Sequence, residues 1–269
     1  MSYLYETHLH TSQGSLCANS RGRDYIRGYL DAGYRGIFVT DHFYRGNCAV
    51  DRGLPWKEWV KEFCRGYEDA REEGVRRGLD VFFGWEETFD GDDYLVYGLD
   101  RDWLLEHPEA RKWSRKNQFA AVMAAGGSVV QAHPFRQHFY LSRVILSPAL
   151  VNAVEAANAG NHEQAYDALA MDYAGKIGLP VTAGSDIHST DQLEEGDIYG
   201  VYLEKPLESA AAYAKALRNG SIRGLRAPED RCRRRGNEKI ALPLEILDAD
   251  GRVSGRDIRA FLKKPGTIY

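Results

Sequence analysis

No apolar run in this chain approaches the ~20 residues that a membrane-spanning helix requires. The first residues show neither the basic patch nor the apolar stretch of a secretory signal. No membrane partner is expected, and a cytoplasmic location is. Cysteine is scarce: Cys17, Cys48, Cys64 and Cys232 are scattered with no Cys-x-x-Cys spacing. That pattern argues against a disulfide frame and for free thiols. Charge of one sign is also lacking. A net charge of −4 gives no general attraction to nucleic acid. There is no internal repeat and no low-complexity tract. Asp248-Ala249-Asp250-Gly251 begins like a calcium loop, but Arg259 stands where such a loop carries its last glutamate. That reading is rejected in favour of a hairpin turn.

What the chain does have is histidine and carboxylate placed at the ends of short apolar runs. Tyr3-Leu4-Tyr5-Glu6-Thr7 leads into His8-Leu9-His10. Two histidines one residue apart on a strand point to one face, and imidazole is the commonest metal ligand. Four more segments have the same form. Arg35 to Thr40 ends in Asp41-His42, Asp80 to Trp85 in Glu86-Glu87, Ser128 to Ala132 in His133-Pro134, and Leu179 to Ser185 in Asp186-Ile187-His188. Five of the eight histidines thus lie at expected strand ends. Nitrogen and oxygen donors from separate strand ends are what Zn, Mn or Fe sites use. Glu86 and Glu87 point to opposite faces if their strand continues, so one of them faces away from the others.

In this order, His8-Leu9-His10-Thr11, Asp41-His42, Gly84-Trp85-Glu86, Ala132-His133-Pro134 and Gly184-Ser185-Asp186-Ile187-His188 resemble the PHP (polymerase and histidinol phosphatase) family. The match runs from about residue 3 to about residue 225. The resemblance implies an α/β fold, a distorted (β/α)7 barrel, and two to three divalent metal ions (Zn, Mn or Fe). By resemblance, His8, His10, Glu86 and Asp186 hold one ion, Glu86 and His133 a second, and His42 and His188 a third. The family often has a further histidine after His-x-His, but Thr11 to Cys17 offers none. Another usually opens the strand after the glutamate, and here the nearest residue is Asp93. Asp93 can be read as a ligand favouring harder metals or as a turn residue in Asp90-Gly91-Asp92-Asp93. Asp41 is expected to fix the tautomer of the His42 imidazole.

Strands alternate with helical spacing, which argues for a parallel sheet closed as a barrel. Helices are predicted over 21–32, 56–77, 117–125, 161–177 and 207–217, with further strands over 94–99, 199–203 and 242–247. Residues 1–226 form the expected metal-dependent hydrolase barrel, near the ~250 residues such folds need. Residues 227–269 form an expected C-terminal extension packed on it, whose arginines (Arg231, Arg233, Arg234, Arg235) read as a solvated run.

The implied chemistry is hydrolysis of a phosphomonoester of a small metabolite or nucleotide by metal-hydroxide attack. Asp186 orients the nucleophile, and His188 or His42 protonates the leaving oxygen. Arg136, His138 and Asn158 are the candidates for holding the substrate. His162 reads as an early helix residue. The alternatives are an exonuclease or phosphodiesterase on short oligonucleotides, a histidinol-phosphate phosphatase, or an inactive metal-holding scaffold. The oligomeric state is not legible.

Overall fold

The computed structural model describes residues 2–257. Its elements follow the alternation of apolar runs and amphipathic segments. β1 (Tyr3–Glu6) is followed by α1 (Tyr25–Asp31), β2 (Gly36–Val39), α2 (Trp56–Phe63), α3 (Arg65–Arg77), β3 (Asp80–Phe89) and β4 (Asp92–Tyr97). Then come α4 (Arg101–Glu106), α5 (Arg115–Ala124), β5 (Ser128–Gln131), β6 (Val144–Leu146), β7 (Ala153–Asn158), α6 (Gln164–Ile177) and β8 (Val181–Gly184). The chain continues through α7 (Asp191–Glu195), β9 (Gly200–Leu203), α8 (Ala210–Arg218), β10 (Gly224–Arg226), β11 (Leu244–Leu247) and β12 (Val253–Gly255). No helix among the described residues is long and apolar enough to cross a membrane.

Nine strands form one sheet in the order β10-β9-β1-β2-β3-β4-β5-β7-β8. It curls into a distorted, nearly closed α/β barrel. The closing contact lies just beyond the strand ends, where Leu9 bridges Ile187 and the His10 amide donates to the Ile187 carbonyl at 2.9 Å. The barrel is therefore drawn together at the face that carries the histidines.

The sheet is not wholly parallel, as the alternation suggests. β4 runs antiparallel to both β3 and β5, and β9 antiparallel to β1 and β10. The first reversal is a two-residue turn, Asp90-Gly91, with φ of 57° and 91°. Positive φ at both positions is what a tight hairpin needs. The turn places Asp93 on β4, opposite Thr88, and not in the turn itself.

The predicted helix over 56–77 is two helices broken at Cys64. Trp56, Trp59 and Phe63 stack in series, with centroids 5.2 and 4.9 Å apart. The break sets the start of α3 against the loop after His10, where a side chain at Gly66 would overlap Thr11 Oγ1. A second sheet, β12-β11-β6, joins the C-terminal segment to the strand after β5. Leu244 and Ile246 of β11 share a core with Phe135, Val144 and Leu146.

The C-terminal arginine run is only partly solvated. Arg231 and Arg234 turn inward to Asp167 and Asp172 of α6, each at 2.9 Å, while Arg233 and Arg235 are exposed. Asp167 and Asp172 are both buried, and each needs a cation when enclosed.

Candidate metal centre

The ends of β1, β2, β5 and β8, with the middle of β3, deliver their polar residues to one mouth of the barrel. Glu6, at the end of β1, ties two of these ends together. Its buried carboxylate accepts from the backbone amides of Thr7, His8 and Ser185 at 2.8, 2.8 and 2.9 Å and from the Tyr29 hydroxyl at 2.7 Å. The Ser185 hydroxyl also donates to it. Gly184 lets the end of β8 lie against His8, since a Cβ there would overlap the His8 side chain. His133 and Asp186 hold left-handed φ of 28° and 53°. Non-glycine residues keep such angles only where the surroundings impose them.

The side chains converge closely. His8 Nε2 lies 3.1 Å from His10 Nε2, 3.2 Å from Glu86 Oε1 and 3.4 Å from Asp186 Oδ1. His10 Nε2 is 3.2 Å from Asp186 Oδ1, His133 Nε2 3.4 Å from Glu86 Oε1, and His42 Nδ1 2.8 Å from Glu86 Oε2. Donor atoms lie within 4.8 Å of one another in four overlapping groups: His8, His10, Glu86; His8, His133, Asp186; His42, Glu86, Asp93; and His10, Cys17, His42, His188.

These residues fit a divalent cation cluster on a physical test. Both Glu86 oxygens are buried without a hydrogen-bond partner, as is His42 Nδ1. Orphaned buried carboxylate oxygens are costly, and a cation between them and the imidazole nitrogens removes the cost. The electrostatics agree. Burial opposes charge on His8, yet the carboxylates of Asp186, Glu155 and Glu86 hold its imidazole well above the ordinary range. Burial likewise opposes charge on Glu86 and Asp186, yet the histidines, with Arg136 beside Asp186, hold both carboxyls well below theirs. Burial and the neighbouring His188 and His42 push His10 down to about 3.

Around this cluster runs a layer of fixed partners. Glu155 accepts from His8 Nδ1 at 2.9 Å and from the His133 amide at 3.1 Å, so one carboxylate orients two strand ends. The Asp41 carboxylate does not reach the His42 ring, contrary to expectation. It accepts from Thr11 and from the Ser15 hydroxyl, and Ser15 Oγ lies 3.1 Å from His10 Nδ1. Asp41 therefore acts on His10 through Ser15. Just beyond β2 the chain is still extended enough for Asp41 and His42 to point to opposite sides. Arg136 is held by Asn158 Oδ1, Asn161 Oδ1 and Asp186 Oδ2 at 2.7, 2.8 and 2.7 Å. Asn161 donates to Asp167, which Arg231 grips in turn. A continuous chain thus links the C-terminal segment to Asp186.

No protein-family model and no curated protein matches the sequence. Solved structures do match the fold. A two-domain protein from Bacteroides vulgatus containing a predicted PHP-like metal-dependent phosphoesterase aligns with TM-score 0.60 and 17% identity over 82% of this chain. The PHP fold is the fold of this chain. The chain spans 64% of the length of that protein. PsfC from Pseudomonas syringae aligns at TM-score 0.54 and 17% identity, over 86% of this chain and 93% of its own. An amidohydrolase from Chromobacterium violaceum, with bound sulfate and no metal, aligns at 0.50 and 13% identity, over 81% and 96%.

Within this PHP fold, His8, His10, His42, Glu86, Asp93, His133, Asp186 and His188 all stand in the four donor groups. Arg136 and His138 line the cleft above them, which has a volume of about 790 Å³. Asn158 is buried and bound to Glu155 and Arg136, so it backs the arginine and does not face the cleft. Glu87 is the glutamate that turns away, to Gln118 and Arg45. His162 precedes α6 and reaches the cleft wall. Three residues escaped the sequence reading: Cys17, Glu155 and Glu6. Glu155 and Glu6 sit in apolar strands, where a buried carboxylate was itself the available signal.

Proposed function

We propose that the protein is a metal-dependent phosphoesterase that hydrolyses a phosphomonoester of a small metabolite or nucleotide. The observation that carries this is Glu86. Its two buried oxygens face the imidazoles of His8, His133 and His42, at the floor of a cleft large enough for a nucleotide-sized ligand. His8, His10, Glu86 and Asp186 would hold one ion, and Glu86, Asp93 and His133 a second. Such ions supply Lewis-acid polarisation of a phosphoryl oxygen and make water acidic enough to react near neutral pH.

The chain's own residues do the rest. Asp186, with Oδ2 fixed by Arg136, presents Oδ1 to the centre in a single orientation. His138 lines the cleft, where its ring can offer an N–H to a phosphoryl oxygen. Arg136 adds positive charge to the wall that a terminal phosphate needs. His42 and His188 flank the floor and carry either a proton for the leaving oxygen or a further ion. The test is phosphate release from a panel of monoesters and diesters with Mn, Zn and Fe supplied separately. Monoester turnover above diester turnover is expected. No release from any ester by protein carrying two ions, with turnover of amide substrates instead, would overturn the reading.

A further inference from the structure

Cys17 lies in the loop between His10 and α1, at the place where the sequence offers no histidine. Its sulfur lies within 4.8 Å of a ring nitrogen of both His42 and His188. One donor atom each from Cys17, His10, His42 and His188 lies within 4.8 Å of the others. A tetrahedral ion with Zn–N near 2.0–2.1 Å and Zn–S near 2.3 Å spaces its donors roughly 3.3–3.6 Å apart, so a small contraction brings these four into range. His10 is already committed. Its Nε2 faces His8, Glu86 and Asp186 at 3.1, 3.4 and 3.2 Å. Cys17, His42 and His188 remain, a three-donor set with a fourth position open.

Two features point these donors at a ligand. His188 Nδ1 is engaged by the Asp186 carbonyl at 2.7 Å, which fixes the tautomer and leaves Nε2 bare. His42 belongs both to this group and to that of Glu86 and Asp93, with Nδ1 turned to Glu86 Oε2 at 2.8 Å. We propose that Cys17 is a metal ligand, its thiolate holding an ion together with His42 and His188. Binding exchanges one S–H bond for one S–metal bond and releases the proton, with no change of oxidation state. The sulfur makes this part of the cluster unlike the group of Glu86 and Asp93. Thiolate and imidazole suit Zn²⁺ and Co²⁺, whereas paired carboxylates suit Mn²⁺. An ion here also leaves neither His42 nor His188 free to carry a proton. The inference rests on the reading of the cleft as a metal centre but not on the reaction assigned to it.

The test is anaerobic loading of the full chain with Co²⁺, followed by absorption spectroscopy and metal counting. The wild type should show a thiolate-to-cobalt charge-transfer band in the near ultraviolet. Cys17→Ser should lose the band and one equivalent of metal. Cys17→His should regain the equivalent without the band, which separates loss of sulfur from loss of fold. Absence of the band in wild-type protein that carries two or more equivalents, or its persistence in Cys17→Ser, would overturn the assignment. Protein that shows the band but hydrolyses no phosphoester keeps the ligand and loses the reaction. Protein that hydrolyses without the band does the reverse.

Discussion

Glu155 shows how a single residue governs the centre without belonging to it. Its carboxylate is buried, holds His8 Nδ1 at 2.9 Å, and supports the His133 amide. Loss of such outer partners typically lowers metal affinity by about 10–100-fold. Glu155→Gln keeps the size but cannot serve as a full anion, and metal titration should show a loss in that range with little change in the far-ultraviolet spectrum. Unchanged affinity would assign Glu155 to folding alone. Arg136 makes a related prediction. Because it binds Asp186, Asn158 and Asn161 at once, Arg136→Lys should fail to restore what Arg136→Ala loses, since an ammonium cannot reproduce the guanidinium fork. Both kcat and metal affinity should fall in the two variants, and normal metal affinity in Arg136→Ala would return the arginine to a substrate role only. Most of the donor residues that converge here were legible in the sequence because they end apolar runs, Asp93 and Cys17 excepted. Their partners were not, because Glu155 and His8 stand 147 positions apart and nothing local joins them.

At the scale of elements, strand and helix type were legible and strand direction was not. The apolar runs over 80–85 and 94–99 read as two strands whichever way they pair. Only Asp90-Gly91, with its paired positive φ, shows that β4 reverses. The two-helix break at Cys64 was hidden for a similar reason. The apolar face of Trp56, Trp59, Val60 and Phe63 continues to Tyr67 in sequence, and packing of Gly66 on Thr11 decides where it bends. Two substitutions test these elements. Trp59→Ala removes the middle of the aromatic stack and should lower stability by about 3–5 kcal/mol in denaturant unfolding. Gly184→Ala forces β8 away from His8 and should cost roughly 1–3 kcal/mol. The two should differ in metal binding, which Trp59→Ala spares and Gly184→Ala weakens. Equal metal affinity in both would show that the β8 approach to His8 is not what shapes the centre.

On the scale of the whole molecule, the arginine run of the C-terminal segment was legible as polar but not as engaged, since charge runs carry no sign of their partners. Asp167 gives that engagement a pH dependence. Burial raises its carboxyl from 3.8 to about 6, and Asn161 and Arg231 only partly oppose the rise. The attraction also raises the Arg231 guanidinium against its own burial. Enclosure of the carboxylate outweighs the attraction on its side. The folded chain therefore binds more protons here than the unfolded chain between about pH 4 and pH 6. This contribution is full below the unfolded value and is lost as pH rises through about 6. Asp167→Asn cannot ionise, so the stability of the wild type minus that of the variant should fall between about pH 4 and pH 7 in urea unfolding. A flat difference would mean that Asp167 titrates as an exposed carboxylate does.

The linked contacts from Arg231 through Asp167, Asn161 and Arg136 to Asp186 have a thermodynamic corollary. Coupling between two binding events is reciprocal. If docking of the segment that carries Arg231 tightens the centre, then ions in the centre must tighten docking by the same factor. The exposed Arg233 and Arg235 are natural trypsin sites beside that anchor. Cleavage there should slow when Zn²⁺ or Mn²⁺ is added and quicken with a chelator. In Asn161→Ala, which removes one of the two links from Asp167 to Arg136 and leaves the one through Asn158, the rate should depend on metal less strongly.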